Sequence, residues 1–157
     1  MDVSIFSVVK FLHIAMMFMA VAGSVFPEVF LHLIANTREP RAIATAAHVA
    51  ERIGKVLPVF FIGGIIFGLL AVWTGQMNFT APWLVATYVL VISAFAVGTL
   101  FSDPWVARLR TAAVASGDAA TPELAGVVDE PRAKMASAWL MAVMVVIISL
   151  MVFKPGS

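Results

Sequence analysis

The sequence predicts an all-α fold, an integral membrane antiparallel four-helix bundle with both termini extracytoplasmic. Of its 157 residues, 62% are hydrophobic and 12% are charged, against about 25% charged in an ordinary soluble domain. Four apolar stretches approach or exceed the ~20 residues that cross a bilayer core. Most lysines and arginines lie in two of the loops between these stretches. A single domain of this length cannot bury so much apolar surface in its own core, so we expect lipid to be its solvent.

The apolar stretches extend over residues 11–34, 56–73, 82–101 and 135–153. Backbone N–H and C=O groups must pair within the chain in hydrocarbon, so each stretch is expected to be a helix. Together they form one domain, residues 1–157. The first stretch is not interpreted as a cleaved leader, because its apolar run continues past the small residues before Gly23.

The lysines and arginines predict the orientation. Eight of them lie in the loops after spans one and three: Arg38, Arg41, Arg52, Lys55, Arg108, Arg110, Arg132 and Lys134. The opposite side has two, Lys10 and Lys154. The positive-inside rule therefore places both loops in the cytoplasm, as expected for a multi-pass protein of a bacterial inner membrane. Aromatic residues should mark the two interfaces, with Trp73, Trp83 and Tyr88 outside and Trp105 and Trp139 inside.

Local signals predict where the elements begin and end. Pro40 suits the first turn of a second helix that begins near residue 41 and enters the membrane near Val56. In the cytoplasmic loop 103–134, Asp103 is the expected N-cap of a short interfacial helix, and the acidic stretch after that helix is expected to be a loop. Gly64 and Gly68 form a small-xxx-small pair that allows another helix to approach closely.

Several kinds of chemistry are excluded. Without cysteine there can be no disulfide, thiolate metal site, haem attached through a CxxCH motif or cysteine nucleophile. The cytoplasmic loop has no phosphate-binding glycine pattern, and nothing in the chain predicts nucleic-acid binding. The candidates that remain are ionisable residues near or within the membrane, which are functional candidates by default.

One group of candidates lies near the inner face. His32 and His48 fall on either side of the break between the first two helices, so an antiparallel hairpin brings them to similar heights as a metal-ligand pair. Glu28, one turn before His32, could orient that ring. The alternative is that both rings rest at headgroup depth as amphipathic side chains. His13 lies 19 residues before His32, about 28 Å along a helix, which is too far to share a metal ion.

The other group lies near the outer face. His13 follows Lys10 by one turn and enters a helix that faces three others, where bundles build ligand sites. It is either a cofactor ligand or a hydrogen-bonded histidine at a helix interface. Met16, Met17 and Met19 resemble a copper-binding cluster, although methionines in such a helix more often serve packing.

A family resemblance favours the ligand interpretation. The stretch KFLHI, residues 10–14, is followed by Gly23, Pro27 and His32, and this resembles the first helix of the HemJ-type bacterial protoporphyrinogen oxidase family. The stretch HVAERIGKVLPVFFIGGIIFGLL, the PWL that opens the third span and the ending LMVFKP are similar to the corresponding parts. The chain is most like the uncharacterised four-helix members of this superfamily, which also resembles copper-resistance D-type proteins.

The resemblance implies that His13 is an axial ligand of haem b, with Lys10 near a propionate. The family's third helix has a histidine and a lysine where this chain has Val85 and Thr87, so whether it is an oxidoreductase is left open. On the outer side, topology leaves only Met77 and Met151 as soft donors for a second ligand.

Three hypotheses follow. The first is a haem b-binding redox protein of the bilayer, for which a quinone or a porphyrin would be a suitable partner. The second is a non-catalytic subunit or scaffold of a membrane complex. The third is a small metal transporter, which would use Met16, Met17 and His13 or the group around His32 and His48, and would need at least a homodimer to form a path.

Overall fold

The structure, a computed structural model, describes residues 4–156. This part of the chain is helical and contains no β-strand. The elements are α1 (Ile5–Asn36), α2 (Pro40–Thr74), α3 (Pro82–Val97), a π-helical segment (Gly98–Ser102), α4 (Asp103–Ser116), α5 (Pro122–Val128) and α6 (Pro131–Phe153). Four helical stretches are long and apolar enough to cross a membrane: Ile5–Asn36, Pro40–Thr74, Pro82–Ser116 (α3 to α4) and Pro122–Phe153 (α5 and α6).

Local chemistry explains where the helices begin. Proline is the first residue of α2, α3, α5 and α6. A proline there loses nothing, because the first N–H groups of a helix have no intrahelical partner. The predicted start of α2 at Pro40 is confirmed. α1 instead begins after Ser4, whose hydroxyl accepts a hydrogen bond from the N–H of Ser7 at 3.2 Å, as an N-cap does.

The sequence suggested that the third span ends before Asp103. In the structure the helix continues past this residue. The chain stays helical through the π-helical segment, where the N–H of Asp103 donates to the carbonyl of Gly98 five residues earlier. Asp103 is thus the first residue of α4 and makes no side-chain cap. The wider π turn accommodates Pro104, which lacks an N–H and whose ring would clash with a carbonyl in a regular α-helix.

The acidic stretch predicted as a loop contains α5. Thr121 caps this helix by accepting a hydrogen bond from the N–H of Leu124 at 3.3 Å, and Pro122 occupies its first position. Leu124 is fully buried. The cap and the proline were visible in the sequence, but seven residues are too few to show helical periodicity, and the burial of Leu124 depends on distant partners.

Contacts near the chain ends define one end of the molecule. Phe6 at the start of α1 lies against Gly75, just after α2. Val72 near the end of α2 packs in one cluster with Leu84 at the start of α3 and Leu150 near the end of α6. We call this the terminal end, since residues near both termini contribute to it.

The opposite end, which we call the loop end, contains the largest buried cluster. Trp105 and Leu109 of α4 lie at its centre. The end of α1, the start of α2, α5 and the start of α6 surround them with Leu31, Ala35, Ile43, Ala47, Leu124 and Ala133. α4 was expected to be an interfacial helix, but its apolar side is buried against other helices.

The aromatic residues correspond to the predicted interfacial belts only in part. Trp73 and Trp139 are exposed, whereas Trp83 is 4% exposed and Trp105 is 1% exposed. The hydroxyl of Tyr88 is also buried, with no hydrogen-bond partner among residues 4–156. Trp83 lies beneath the ammonium group of Lys154, 5.6 Å from its ring centroid. Sequence position alone does not distinguish an indole at the interface from one in a core.

Replacing Leu109 by Ala should destabilise the protein by about 2–5 kcal/mol, because this side chain is fully buried and its loss leaves a cavity. Val114, on the same helix but 65% exposed, provides the matched control, and Val114→Ala should leave the melting temperature in detergent within about 1–2 °C of the wild type. Equal melting temperatures for the two variants would contradict the loop-end core.

Candidate functional site

His13 is fixed between α1 and α2 by a hydrogen bond that crosses the helix interface. Its Nδ1 lies 2.7 Å from the carbonyl oxygen of Gly64. A carbonyl oxygen only accepts, so this contact places the hydrogen on Nδ1. In the neutral ring, Nε2 then carries the lone pair. This nitrogen forms no hydrogen bond within residues 4–156 and is not one of their fully buried, unpartnered atoms.

Gly68 provides the space for the ring of His13. A Cβ added at Gly68 would lie 2.9 Å from both Cε1 and Nδ1 of the imidazole, closer than real Cβ atoms approach. The Gly64 and Gly68 pair therefore has two roles at this site. One glycine supplies the carbonyl that receives the histidine N–H, and the other leaves room for the ring.

The methionines of α1 occupy the neighbouring positions of the same interface. Met16 lies against Gly63, and Met17 lies against Gly64. Met19 is exposed. The structure thus gives Met16 and Met17 a packing role, and a copper-binding role for the three methionines stays a prediction.

Lys10 lies one turn before His13 and is exposed. Its ammonium group is 5.6 Å from the centroid of the Phe6 ring, a cation–π distance. The long side chain is thereby directed towards the terminal end. A cation there can neutralise an acidic group at the membrane surface, while the imidazole lies deeper between the helices.

His32 belongs to a second group of polar side chains, at the loop end. Its ring stacks on the indole of Trp105, with the centroids 4.4 Å apart and the planes inclined by 20°. Its Nε2 is 3.7 Å from Glu28 Oε1, beyond hydrogen-bond range. That nitrogen is buried and has no hydrogen-bond partner among residues 4–156.

Asp103 adjoins this group and was not recognised as part of it from the sequence. It follows the third apolar stretch and lies near the carboxylate of Glu28. Its neighbour Ser102 is buried, with a hydroxyl that has no partner among residues 4–156. The signal in the sequence was the dipeptide Ser-Asp before Pro104, which suggested a helix cap instead.

His48 and His32 lie in different surroundings. The side chain of His48 is exposed, whereas His32 turns towards α4. Within residues 4–156, no three His, Cys, Asp or Glu side chains come together in a way that could hold a metal ion. The predicted metal site at His32 and His48 therefore stays a prediction, and the stacking on Trp105 gives His32 a packing role.

Comparisons with protein-family models, curated proteins and solved structures give no match. The resemblance of residues 10–14 and the later stretches to the HemJ-type superfamily thus stays a prediction. The structure itself offers two polar groups for a function. One surrounds His13, and the other surrounds His32.

Gly68→Ala should displace the ring of His13 and destabilise the α1–α2 interface by about 1–3 kcal/mol, since the new methyl group would overlap the imidazole. Thermal unfolding in detergent measures this change. Gly54→Ala is the matched control, because a Cβ at Gly54 of the same helix would meet nothing within 4 Å, and it should not destabilise the protein. If both variants melted like the wild type, His13 would not occupy the position described.

Proposed function

We propose that this chain is a haem b-binding, redox-related protein of a bacterial inner membrane, with His13 as an axial ligand of the iron. The observation that carries the proposal is the hydrogen bond from His13 Nδ1–H to the carbonyl of Gly64. Metal-ligating histidines almost always donate their second ring N–H to a carbonyl, carboxylate or water, which fixes the tautomer and orients the ring. His13 has this arrangement.

The residues around His13 fit one axial position. Gly68 leaves room for the ring, Gly64 holds it, and Nε2 is the donor atom that remains. Lys10 would neutralise a propionate on the surface side, as its exposure permits. When bound, the haem would supply one-electron chemistry, which amino-acid side chains alone do not readily perform. The imidazole is part-buried between α1 and α2.

A second ligand is less well defined. Met77 and Met151 both pack against the cluster of Val72 and Leu84 at the terminal end. They are on the same end of the molecule as Lys10, so each could supply a second, thioether donor to the group. Alternatively, His13 alone would hold the group.

We further propose that the four spanning helices form an antiparallel bundle with both termini outside the cytoplasm. The contacts of Phe6 with Gly75 and of Val72 with Leu84 and Leu150 support the antiparallel order. The excess of lysine and arginine in the loops supports the orientation. A quinone in the bilayer or a porphyrin is the partner that this arrangement would suit. The family's third-helix histidine and lysine are replaced by Val85 and Thr87, so the proposal does not extend to the oxidase reaction.

One observation favours a second candidate, a non-catalytic subunit of a membrane complex. In the most apolar 18-residue part of α1, only 6% of the residues are buried. In the corresponding part of α2, 17% are buried. These surfaces contact lipid or another protein. A homo-oligomer or a heteromeric complex would cover part of them without any change in the fold.

The protein purified from haem-supplemented cells should show a Soret band and, after reduction with dithionite, sharp α and β bands. His13→Ala should lose at least 90% of the haem per polypeptide, because no other histidine lies at that end of the molecule. His48→Ala, whose side chain is exposed at the loop end, is the control and should retain its haem. Full retention of haem by His13→Ala would refute the proposed ligand.

A wild-type spectrum without haem bands would refute haem binding altogether. Copurification of a second protein at fixed stoichiometry in that preparation would favour the non-catalytic subunit. Size-exclusion chromatography with light scattering would separate this outcome from a homo-oligomer.

A further inference from the structure

A partly enclosed cavity of about 210 Å³ opens at the loop end, where the π-helical segment, α4 and α6 meet. Its lining combines apolar, aromatic and charged side chains: Leu100, Phe101, Trp105, Arg108, Glu130, Arg132 and Ala133. It is far from His13 along the bundle and does not depend on the proposed haem. The volume is below the ~300–1,000 Å³ of pockets that enclose drug-sized ligands, so it suits a small group.

The charges around the cavity favour an anion. Arg108 Nη2 is 2.8 Å from Glu130 Oε2, and these two charges largely compensate each other. Arg132 forms no ion pair or side-chain hydrogen bond within residues 4–156. Two guanidinium groups and one carboxylate give the lining a net charge of +1.

The walls of the cavity are held in place. Trp105 is almost fully buried, its indole Nε1–H donates to the carbonyl of Val127 at 3.0 Å, and its face is covered by His32. Arg108 is anchored through its ion pair with Glu130. A site with a fixed aromatic wall and one fixed cation needs little reorganisation to receive a ligand.

Exposed apolar side chains border the cavity on the side of the membrane spans. Leu100 and Phe101, at the end of the third apolar stretch, are both exposed. On α6, Met135 and Trp139 are exposed just beyond Arg132. Apolar side chains beside arginines at the end of a membrane span correspond to the depth where acyl chains give way to headgroups.

We propose that this cavity binds the phosphate of an anionic phospholipid headgroup. Arg132 supplies the free guanidinium, which matches phosphate oxygens in geometry and charge. Arg108 adds the second cation, and the acyl chains extend along Leu100 and Phe101. Free phosphate has the same charged group, but it has no apolar part that could contact Leu100 and Phe101. A phospholipid therefore fits the whole lining better.

The test measures the melting temperature of the full-length protein in a neutral detergent during titration with phosphatidylglycerol, phosphatidylcholine or inorganic phosphate. Phosphatidylglycerol should raise the melting temperature, and phosphatidylcholine should not. Arg132→Gln should weaken the response to phosphatidylglycerol by roughly fivefold in midpoint concentration, as expected for one cation near a membrane surface. Arg52→Gln is the matched control, since Arg52 is an exposed cation outside the cavity, and its response should equal that of the wild type.

A second variant separates ligand binding from a structural role. Glu130→Gln removes the carboxylate and raises the net charge of the lining to +2, so it should bind phosphatidylglycerol roughly fivefold more tightly. A site that only supported the fold would be weakened by this change, because Arg108 loses its partner. Together with the loss in Arg132→Gln, this gain would establish the site.

The remaining outcomes overturn the proposal. Equal responses of Arg132→Gln and Arg52→Gln would show that the cavity is not the binding site. A response to inorganic phosphate alone would show that the ligand is a soluble phosphate and not a lipid. Equal stabilisation by phosphatidylcholine and phosphatidylglycerol would show that the protein responds to lipid in general.

Discussion

The close contact between α1 and α2 is the constraint on which the rest of the structure depends. Helices in lipid gain little from the hydrophobic effect when they associate, so van der Waals contact and interhelical hydrogen bonds must hold them together. Here four glycines remove the side chains that would keep the backbones apart: Gly23, Gly63, Gly64 and Gly68. Leu57, Met16, Met17 and His13 fill the spaces that they leave.

The same constraint explains why the one hydrogen bond between α1 and α2 within residues 4–156 is so specific. The carbonyl of Gly64 can receive the N–H of His13 only because the ring comes close to the α2 backbone over Gly68. The hydrogen bond contributes about 1 kcal/mol or less to helix association, less than the packing around it. Its larger consequence is chemical, because it orients the imidazole and determines which nitrogen can bind a partner.

The two ends of the molecule are built on different principles. At the loop end, α4 and α5 bury Trp105, Leu109 and Leu124 much as a soluble domain would, and the charged residues form interhelical pairs such as Arg110 with Glu51 at 2.7 Å. At the terminal end, contacts are apolar and fewer side chains are fully buried. A small core at the loop end thus fixes the helices there, while the apolar helices remain open to lipid or to a partner at the other end.

The sequence was sufficient for the parts of the fold that local chemistry determines. Hydropathy predicted the four helical stretches that are long and apolar enough to cross a membrane, and Pro40 predicted the start of α2. The sequence was insufficient where distant residues decide. The helix continues through Asp103 by way of a π-helical segment, which no local pattern predicted. The burial of Trp105 depends on residues of α1, α2 and α5 together. For the site, His13 could be selected from the sequence, but its partner Gly64 lies 51 residues away and carries no functional signature of its own.

His13 is expected to present Nε2 as its free donor atom, because Nδ1–H donates to the carbonyl of Gly64. Solid-state NMR of the protein labelled with ¹⁵N-histidine in bilayers, without added haem, tests this directly, with His13→Ala to assign the signal. We expect a protonated Nδ1 and an unprotonated Nε2 at His13. A His13 signal from the Nε2-protonated tautomer would contradict it, because that ring could neither donate to the Gly64 carbonyl nor offer Nε2 to a metal.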